Sequence, residues 1–390
     1  MPEILDTPWM HRDDLAELVA ALGEGNARYV GGAVRDTLLG LPVKDIDMAT
    51  VLLPDAVIER LAAAGIRNVP TGIEHGTVTA VLPNGPVEIT TLRHDVSTDG
   101  RRATVAFAQD WREDAARRDF TINALYADPR SGEVHDWFDG LTDLSVRRVR
   151  FIGDARQRIR EDHLRILRYF RFQARFGSTP ADAEAEAACS ELAATLKGLS
   201  RERVGMETMN LLGLPDPAPT VQRMHELGVL QVILPEADPK PLAALVVAEQ
   251  AQDIAPEAIR RLAALLPAQP ALAEQVAARF RLSAAQKKRL SLAAARGDAP
   301  DAPRALAYRL GREGALDRLL IVGADASPLA DWDVPTMPLK GGQIVARGVG
   351  AGPDVARILR RVEDRWIAEG FPEGERVDAL LDEVLAEARA

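Results

Sequence analysis

The stretch GGAVRDTLLGLPVKDIDMAT, residues 31–50, contains the pattern that decides the fold. Asp45 and Asp47 stand two apart in an apolar run, Val43-x-x-Ile46-x-Met48, for which we predict a strand. Side chains two apart on a strand point to the same face. Adjacent carboxylates repel each other unless a cation lies between them, and hard oxygen ligands of this kind suit Mg²⁺. The segment therefore predicts a metal site at Asp45 and Asp47.

A glycine pair and an arginine precede these carboxylates. Gly31 and Gly32 allow the backbone to approach an anion closely, and Arg35 follows one helical turn later, where it can hold a triphosphate. Together with the carboxylates they indicate chemistry on a nucleotide's phosphates. Glu88 alternates within the predicted strand 87–92, and it is either a third carboxylate of the site or a solvent-facing strand residue.

The composition is that of a globular protein. The chain has 390 residues, of which 47% are hydrophobic and 27% charged, so it is long enough for two to four domains. We expect no membrane span, because no stretch approaches about 18 uncharged apolar residues. The acidic N-terminal segment lacks the features of a signal peptide, and the single cysteine, Cys189, excludes an intrachain disulfide. A cytoplasmic location is therefore expected.

Charge is distributed unevenly. The net charge of −10 argues against a nucleic-acid partner. Between Arg147 and Arg175, however, ten arginines stand against three acidic residues, a surplus of seven positive charges. Such a window is the expected footprint of a polyanion, and the alternative is a solvated helix face.

The order of helix and strand signals predicts an α+β fold. Residues 1–138 mix both signals and predict a domain with a mixed β-sheet, whereas residues 139–215 and 216–390 show helical periodicity throughout. We expect the helical part to be elongated. The Gly-rich segment 338–352 is either a turn between helices or a contact for an RNA phosphate.

Four segments carry a resemblance to a known family. They are the G-G-x-V-R-D-x-L-L-G…D-x-D-x-x-T pattern of residues 31–50, the run RRDFTINA at 117–124, the pattern E-D-x-x-R at 161–165 and E-R-x-x-x-E at 202–207. The chain resembles, over roughly residues 27–215, the class II family of CCA-adding enzymes and bacterial poly(A) polymerases. This resemblance implies a nucleotidyltransferase palm followed by a helical neck, body and tail.

The resemblance also implies roles for further residues. Arg118, Asp119 and Asn123 are expected to handle the nucleotide's ribose and to support the catalytic site. The E-D-x-x-R element and the residues after it are expected to recognise the base, through Asp162, Arg165, Arg168 and Arg171. The body and tail are expected to bind tRNA.

The predicted base-recognition pair fits elementary hydrogen-bond chemistry. Asp162 and Arg165 are three apart, which on one helix places them on the same face. A carboxylate accepts from an exocyclic amine and a guanidinium donates to a ring acceptor. Cytosine and adenine present an amine beside an acceptor nitrogen, whereas uracil and guanine present the opposite order. One Asp/Arg pair can therefore select C and A without a template; the alternative is an ordinary intrahelical salt bridge.

The expected function is template-independent addition or repair of the 3′-terminal CCA of tRNA from CTP and ATP, with release of pyrophosphate. Two Mg²⁺ ions are expected, and neither DNA nor a membrane is expected as a partner. Bacterial poly(A) polymerase and a CC-only or A-only enzyme remain alternatives. The segment Arg93–Arg102 resembles the loop that switches specificity from C to A and favours full CCA addition. A non-catalytic RNA-binding protein on the same fold is a third alternative, which the intact carboxylates oppose.

Overall fold

The computed structural model describes residues 3–98, 103–297 and 302–389. Gly100-Arg101-Arg102 of the predicted specificity loop lie outside the described residues. The chain forms two compact units, residues 1–211 with 219–235 and residues 212–218 with 236–390. The three domains predicted from the sequence, with boundaries at 138/139 and 215/216, are a finer division and stay a prediction. In the described part of the chain, no helix is both long and apolar enough to cross a membrane.

In its described residues, the first unit combines nine strands with helices. Its strands are β1 (Ala27–Val30), β2 (Ile46–Thr50), β3 (Asn68–Gly72), β4 (Thr77–Leu82), β5 (Gly85–Thr91), β6 (Arg93–Thr98), β7 (Ala103–Phe107), β8 (Leu125–Ala127) and β9 (Val134–Asp136). Its helices begin with α1 (Asp13–Leu22), α2 (Gly32–Leu38), α3 (Pro54–Ala63), α4 (Trp111–Ala116), α5 (Gly140–Ser145), α6 (Ala155–Glu161), α7 (Arg165–Phe176) and α8 (Ala183–Leu192). They continue with α9 (Arg201–Leu212), α10 (Ala218–Glu226) and α11 (Val229–Ile233).

Seven of the strands form one mixed sheet in the order β3-β4-β5-β2-β1-β8-β9, and β6 pairs with β7 separately. Only the β2–β5 pair is parallel within the seven-stranded sheet. The alternation in β2 buries Ile46, Met48 and Thr50 and leaves Asp47 half-buried. The mixed α+β fold predicted from the sequence is confirmed.

Helix α7 connects the sheet domain to the helices that follow it. Its apolar residues are buried, and Phe172 packs on Phe120 from the sheet domain with ring centroids 5.0 Å apart. Phe120 also contacts Phe151 at 5.0 Å. Because apolar residues fill one side of α7, its arginines are left to line the side that faces polar groups. This division places Arg165 and Arg168 beside the pocket described below.

The second unit consists of helices and the segments that connect them, with no strand among its described residues. It contains α12 (Lys240–Ala251), α13 (Ala258–Leu265), α14 (Pro270–Arg279), α15 (Ala284–Ala294), α16 (Pro303–Ile321), α17 (Gly341–Ala346), α18 (Pro353–Ala368) and α19 (Glu375–Arg389). Helices α17, α18 and α19 enclose a core around Ile344, Trp366 and Leu381. Helix α17 lies inside the Gly-rich segment 338–352. This unit has the helical architecture that the sequence predicted for the body and tail.

Candidate active site

The carboxylates predicted from the sequence lie at one end of strand β2. The strand begins at Ile46, where pairing with Val87 of β5 starts, and not at Val43 as predicted. Asp45 therefore precedes the strand, where no residue of β5 pairs with it, and it is exposed. Asp47 stands directly opposite Glu88 in the parallel register. The structure thus adds Glu88 as the strand neighbour of Asp47.

The electrostatics of Asp47 show that negative charge accumulates here. Burial, followed by the charges of Glu88 and Asp45, raises the pKa of Asp47 to about 6, although the nearby guanidinium of Arg118 opposes the shift. A cation bound beside Asp47 would favour its ionised form. The donor set, oxygen atoms alone, fits a hard divalent ion.

We expect the negative charge around Asp47 to lower the free energy of unfolding of the metal-free protein as pH rises. The pKa of Asp47 is raised above its unfolded value near 3.8, so its contribution to stability is full below pH 4 and is lost as pH rises to about 6. Asp47→Asn removes the titration. Between pH 4 and pH 6.5 the free energy of unfolding of the wild type should therefore fall relative to that of the variant, by up to about 3 kcal/mol.

Urea unfolding in EDTA across this pH range measures the difference. The exposed Asp139→Asn serves as the matched control, and its difference from the wild type should stay constant with pH. A pH-independent difference for Asp47→Asn would show that Asp47 ionises normally.

The glycine turn adjoins the carboxylates. Strand β1 runs antiparallel to β2 with Tyr29 opposite Met48, so the chain leaves β1 beside the beginning of β2. Gly31 has φ 68° and ψ −117°, a conformation that side chains rarely adopt, and this residue precedes α2. A Cβ atom on Gly31 would lie 3.5 Å from Nη1 of Arg118. The turn therefore brings the backbone at Gly31 close to the guanidinium of Arg118.

Arg118 is held in place by two side chains. Its Nε donates to the hydroxyl of Tyr126 at 2.9 Å and its Nη2 to Asp114 at 3.2 Å. Tyr126 in turn donates to Asp114 at 2.5 Å. Burial alone would lower the pKa of Arg118, but Tyr126 and Asp114 outweigh it and raise the pKa, so the residue stays charged. Asp114 was not predicted from the sequence; it lies on α4, and Arg118 follows two residues after that helix ends at Ala116.

Arg35 is buried and does not face solvent. Only 6% of the residue is exposed, its Nη1 donates to Oδ1 of Asn123 at 2.5 Å and its Nε donates to Asp36 at 2.8 Å. The guanidinium also lies 4.0 Å from the ring centre of Phe176. The structure therefore makes Arg35 a support for Asn123, and the direct triphosphate contact expected from the sequence stays a prediction.

Asn123 and Asp119 continue this chain of contacts. Asn123 donates to Oδ1 of Asp119 at 3.0 Å, and Oδ2 of Asp119 accepts from Nε and Nη2 of Arg168 at 2.8 and 2.5 Å. Burial opposes ionisation of Asp119, but Arg168 and Asn123 outweigh it, and the pKa lies below its usual range. Arg171 pairs with Glu207 at 2.6 Å. Hydrogen bonds thus run from α2 through the sheet domain to α7.

The structure corrects one prediction about the base-recognition pair. Asp162 and Arg165 do not share a helix, because α6 ends at Glu161, Asp162 is extended (φ −148°, ψ 106°) and α7 begins at Arg165. Oδ1 of Asp162 accepts from the backbone N–H of Leu164 at 3.1 Å, and this local bond competes with helix continuation.

Arg165 is tied to its surroundings by three donated bonds. Its Nη1 donates to Glu161 at 2.6 Å and to the carbonyl of Arg158 at 2.8 Å, and its Nη2 donates to the carbonyl of Arg117 at 3.1 Å. A guanidinium has five N–H donors, so donors remain for a ligand.

Both residues nevertheless line one open pocket of about 420 Å³. Its walls are formed by Arg117, Arg118, Asp119, Asp162, Leu164, Arg165, Arg168, Arg203, Met206 and Glu207. Five of these residues were predicted from the sequence as site residues, and the other five were not. The five predicted ones are Arg118, Asp119, Asp162, Arg165 and Arg168. Arg203 and Glu207 stood in the E-R-x-x-x-E element, whereas no signal in the sequence marks Leu164 or Met206.

The arginine-rich stretch is also corrected. Carboxylates outside the stretch pair with six of its arginines: the nearby Asp143 with Arg148 and Arg150, and more distant residues with the others, Glu191 with Arg156, Asp119 with Arg168, Glu207 with Arg171 and Asp36 with Arg175. Among the described residues, only Arg147 and Arg160 of the ten have no carboxylate partner within ion-pair distance. The predicted surplus of seven charges is therefore largely paired within the fold, two of these arginines, Arg165 and Arg168, line the pocket, and contact of the stretch with RNA stays a prediction.

A mixed sheet with carboxylates at one strand end, joined to a basic pocket, defines a nucleotidyltransferase. Residues 27–150 match the family described as "Poly A polymerase head domain", and residues 182–240 match the "Probable RNA and SrmB- binding site of polymerase A". The chain is 33% identical over 370 residues to the CCA tRNA nucleotidyltransferase 1, mitochondrial, of Mus musculus, with 88% of this chain and 83% of that protein covered. It is 49% identical over 150 residues to the CCA-adding enzyme of Streptococcus pyogenes, with 38% and 36% covered.

Among solved structures, the Bacillus stearothermophilus CCA-adding enzyme in complex with CTP is similar along its whole length. The TM-score is 0.74 at 27% identity, covering 99% of this chain and 100% of that one. The chain belongs to the CCA-adding tRNA nucleotidyltransferase family, as its sequence motifs predicted. Enzymes of this family use a divalent metal ion.

Proposed function

We propose that this enzyme adds or repairs the 3′-terminal CCA of tRNA from CTP and ATP, releasing pyrophosphate and using no nucleic-acid template. The observation that carries the proposal is the pocket in which Asp162 and Arg165 lie beside Arg118 and Asp119. It offers one acceptor and one donor for a base, next to charged groups for the rest of a nucleotide. The family relatives named above support this assignment.

The carboxylates are the proposed metal ligands. Asp45 and Asp47 would hold Mg²⁺, two ions in the arrangement we propose, with Glu88 as a third carboxylate facing Asp47. In the described residues no group of three or more His, Cys, Asp or Glu side chains is close enough to hold a metal alone. Mg²⁺ ordinarily completes its shell with water and substrate phosphates. When bound, it supplies charge stabilisation for the oxygens of the transferring phosphoryl group.

The chain's own residues position the nucleotide. We assign the triphosphate to the Gly31-Gly32 turn and to Arg118, whose charge is secured by Asp114 and Tyr126. Asp119 and Asn123 are assigned to the ribose side, with Arg35 holding Asn123 from behind. These groups are fixed before substrate arrives, and such preorganisation lowers the entropic part of the barrier.

Base choice is assigned to Asp162 and Arg165. The carboxylate accepts from the exocyclic amine of C or A, and the guanidinium donates to the adjacent ring nitrogen. Arg168 and Arg171 form the framework behind them through Asp119 and Glu207. Because the pair acts through its placement in the pocket, the selectivity argument does not need both residues on one helix.

The proposed partners are tRNA, CTP and ATP, with no DNA. We propose the cytoplasm as the location, because a single cysteine is typical of proteins in a reducing compartment. The mouse relative is named mitochondrial, and fractionation of cells that produce the protein decides between the two compartments.

Incubation with tRNA lacking its 3′ end, each labelled NTP separately and Mg²⁺ tests the proposal. We expect incorporation of C, then of A only onto tRNA ending in CC, and none of U or G. Long A-tracts on unstructured RNA would assign a poly(A) polymerase instead. Addition that stops after CC when CTP and ATP are supplied together, or that needs CC already present, would assign a partial enzyme, and no incorporation at all would favour a binding protein.

A further inference from the structure

We propose that Arg203 is a positioning residue that sets base selectivity by fixing the carboxylate of Asp162. The inference rests on the proposed function, because it concerns how the same pocket distinguishes C and A from U and G. Its starting point is an ion pair inside the pocket: Nη2 of Arg203 donates to Oδ2 of Asp162 at 2.7 Å, across 41 residues of sequence.

Asp162 needs an external anchor. It lies outside both neighbouring helices, and its side chain is 32% exposed, so it has room to rotate. Two contacts restrain it. Oδ1 accepts from the N–H of Leu164 at 3.1 Å, and Oδ2 accepts from Arg203. The second bond joins opposite charges and is therefore the stronger of the two.

Arg203 is carried by a helix that is anchored independently. Four residues further along α9, Glu207 pairs with Arg171 at 2.6 Å and is 3% exposed. Residues four apart on a helix lie on the same face. The helix thus presents Glu207 to the framework and Arg203 to Asp162, and replacement of Arg203 leaves the Glu207–Arg171 contact in place.

The geometry of a carboxylate explains why its orientation matters for selectivity. Each oxygen has two lone pairs, so Oδ2 can accept from Arg203 and from a base amine at once. Uracil and guanine also offer a donor, their ring N–H, displaced by one position from the amine of cytosine and adenine. A carboxylate free to rotate can accept from that ring N–H, whereas a fixed one cannot follow it. Arg203 therefore restricts the acceptor to the position that suits C and A.

The test compares Arg203→Met, Arg203→Lys and Arg203→Gln with the wild type. We would measure kcat and KM for single incorporation of CTP and UTP onto tRNA lacking its 3′ end, and of ATP and GTP onto tRNA ending in CC. Arg203→Met should lower the preference for CTP over UTP, and for ATP over GTP, by about tenfold, the factor corresponding to one hydrogen bond. Arg203→Lys should restore part of the preference because it keeps a charged donor, with Arg203→Gln as the milder, uncharged variant if Arg203→Met fails to fold.

Arg156→Met is the matched control. Arg156 is 33% exposed and pairs with Glu191 at 2.7 Å, much as Arg203 pairs with Asp162, but it is not among the residues lining the pocket. Its loss should leave all preferences unchanged.

The outcomes distinguish a failure of the proposed function from a failure of the role assigned to Arg203. A wild type that incorporates neither C nor A contradicts the proposed function itself. If the wild type is selective, and Arg203→Met and Arg203→Gln are uniformly slower but equally selective, the proposed role of Arg203 is wrong. The same follows from a lysine variant as unselective as the methionine one, or from an equal loss of selectivity in Arg156→Met.

Discussion

Asp47→Asn is expected to abolish nucleotide incorporation, lowering kcat by about a thousandfold or more. Asp47 lies opposite Glu88 and within the field of Asp45, which places it at the centre of the proposed cation site. The substitution removes a ligand and a negative charge while keeping the size of the side chain. Charge stabilisation by a bound metal contributes several kcal/mol to the barrier, and each 1.4 kcal/mol corresponds to about tenfold in rate.

The stability of the variant distinguishes a lost metal site from a lost fold. Asp47→Asn removes repulsion between carboxylates, so its metal-free stability near neutral pH should equal or exceed that of the wild type. Incorporation is measured over a range of Mg²⁺ concentrations, with the exposed Asp139→Asn as control. Turnover near the wild-type rate at saturating Mg²⁺ would exclude Asp47 as a metal ligand.

Local pattern was sufficient to predict the catalytic end of the sheet. The alternation around Asp47 and Glu88 specifies which side of each strand is buried, since a strand has a period of two. The pairing partner is not local. Strand β2 begins at Ile46 because Val87 is there to pair with it, and for this reason the predicted start at Val43 was wrong.

The base pocket was predicted only in part, because long-range contacts shape it. The periodicity around Asp162 is helical, but its side chain binds the N–H of Leu164 and a guanidinium from α9, and the helix breaks. The arginines of α7 likewise appear unpaired in the sequence. Arg175 meets Asp36 across 139 residues, a contact that no local pattern encodes. Charge counted along the chain therefore overestimated the charge available to RNA.

Arg168→Met is expected to lower the free energy of unfolding by about 3–5 kcal/mol, because it leaves a buried carboxylate without its counter-charge. Asp119 is 8% exposed, and Arg168 donates two hydrogen bonds to its Oδ2. The remaining donors, Asn123 and the N–H of Phe120, both serve Oδ1. Such a loss is a large fraction of the roughly 5–15 kcal/mol that stabilises a typical domain.

A double-mutant cycle measured by urea unfolding tests this account. Asp119→Asn combined with Arg168→Met should recover most of the lost stability, since the buried charge is then absent. The half-exposed pair offers the control: Arg156→Met, which separates Arg156 from Glu191, should change the free energy of unfolding far less than Arg168→Met, because water screens an exposed ion pair. If Arg168→Met lowered the free energy of unfolding as little as Arg156→Met, the carboxylate of Asp119 would have to be hydrogen-bonded to water or to another donor. The chain of bonds from Arg35 through Asn123 and Asp119 to α7 would then not be the support on which the nucleotide pocket depends.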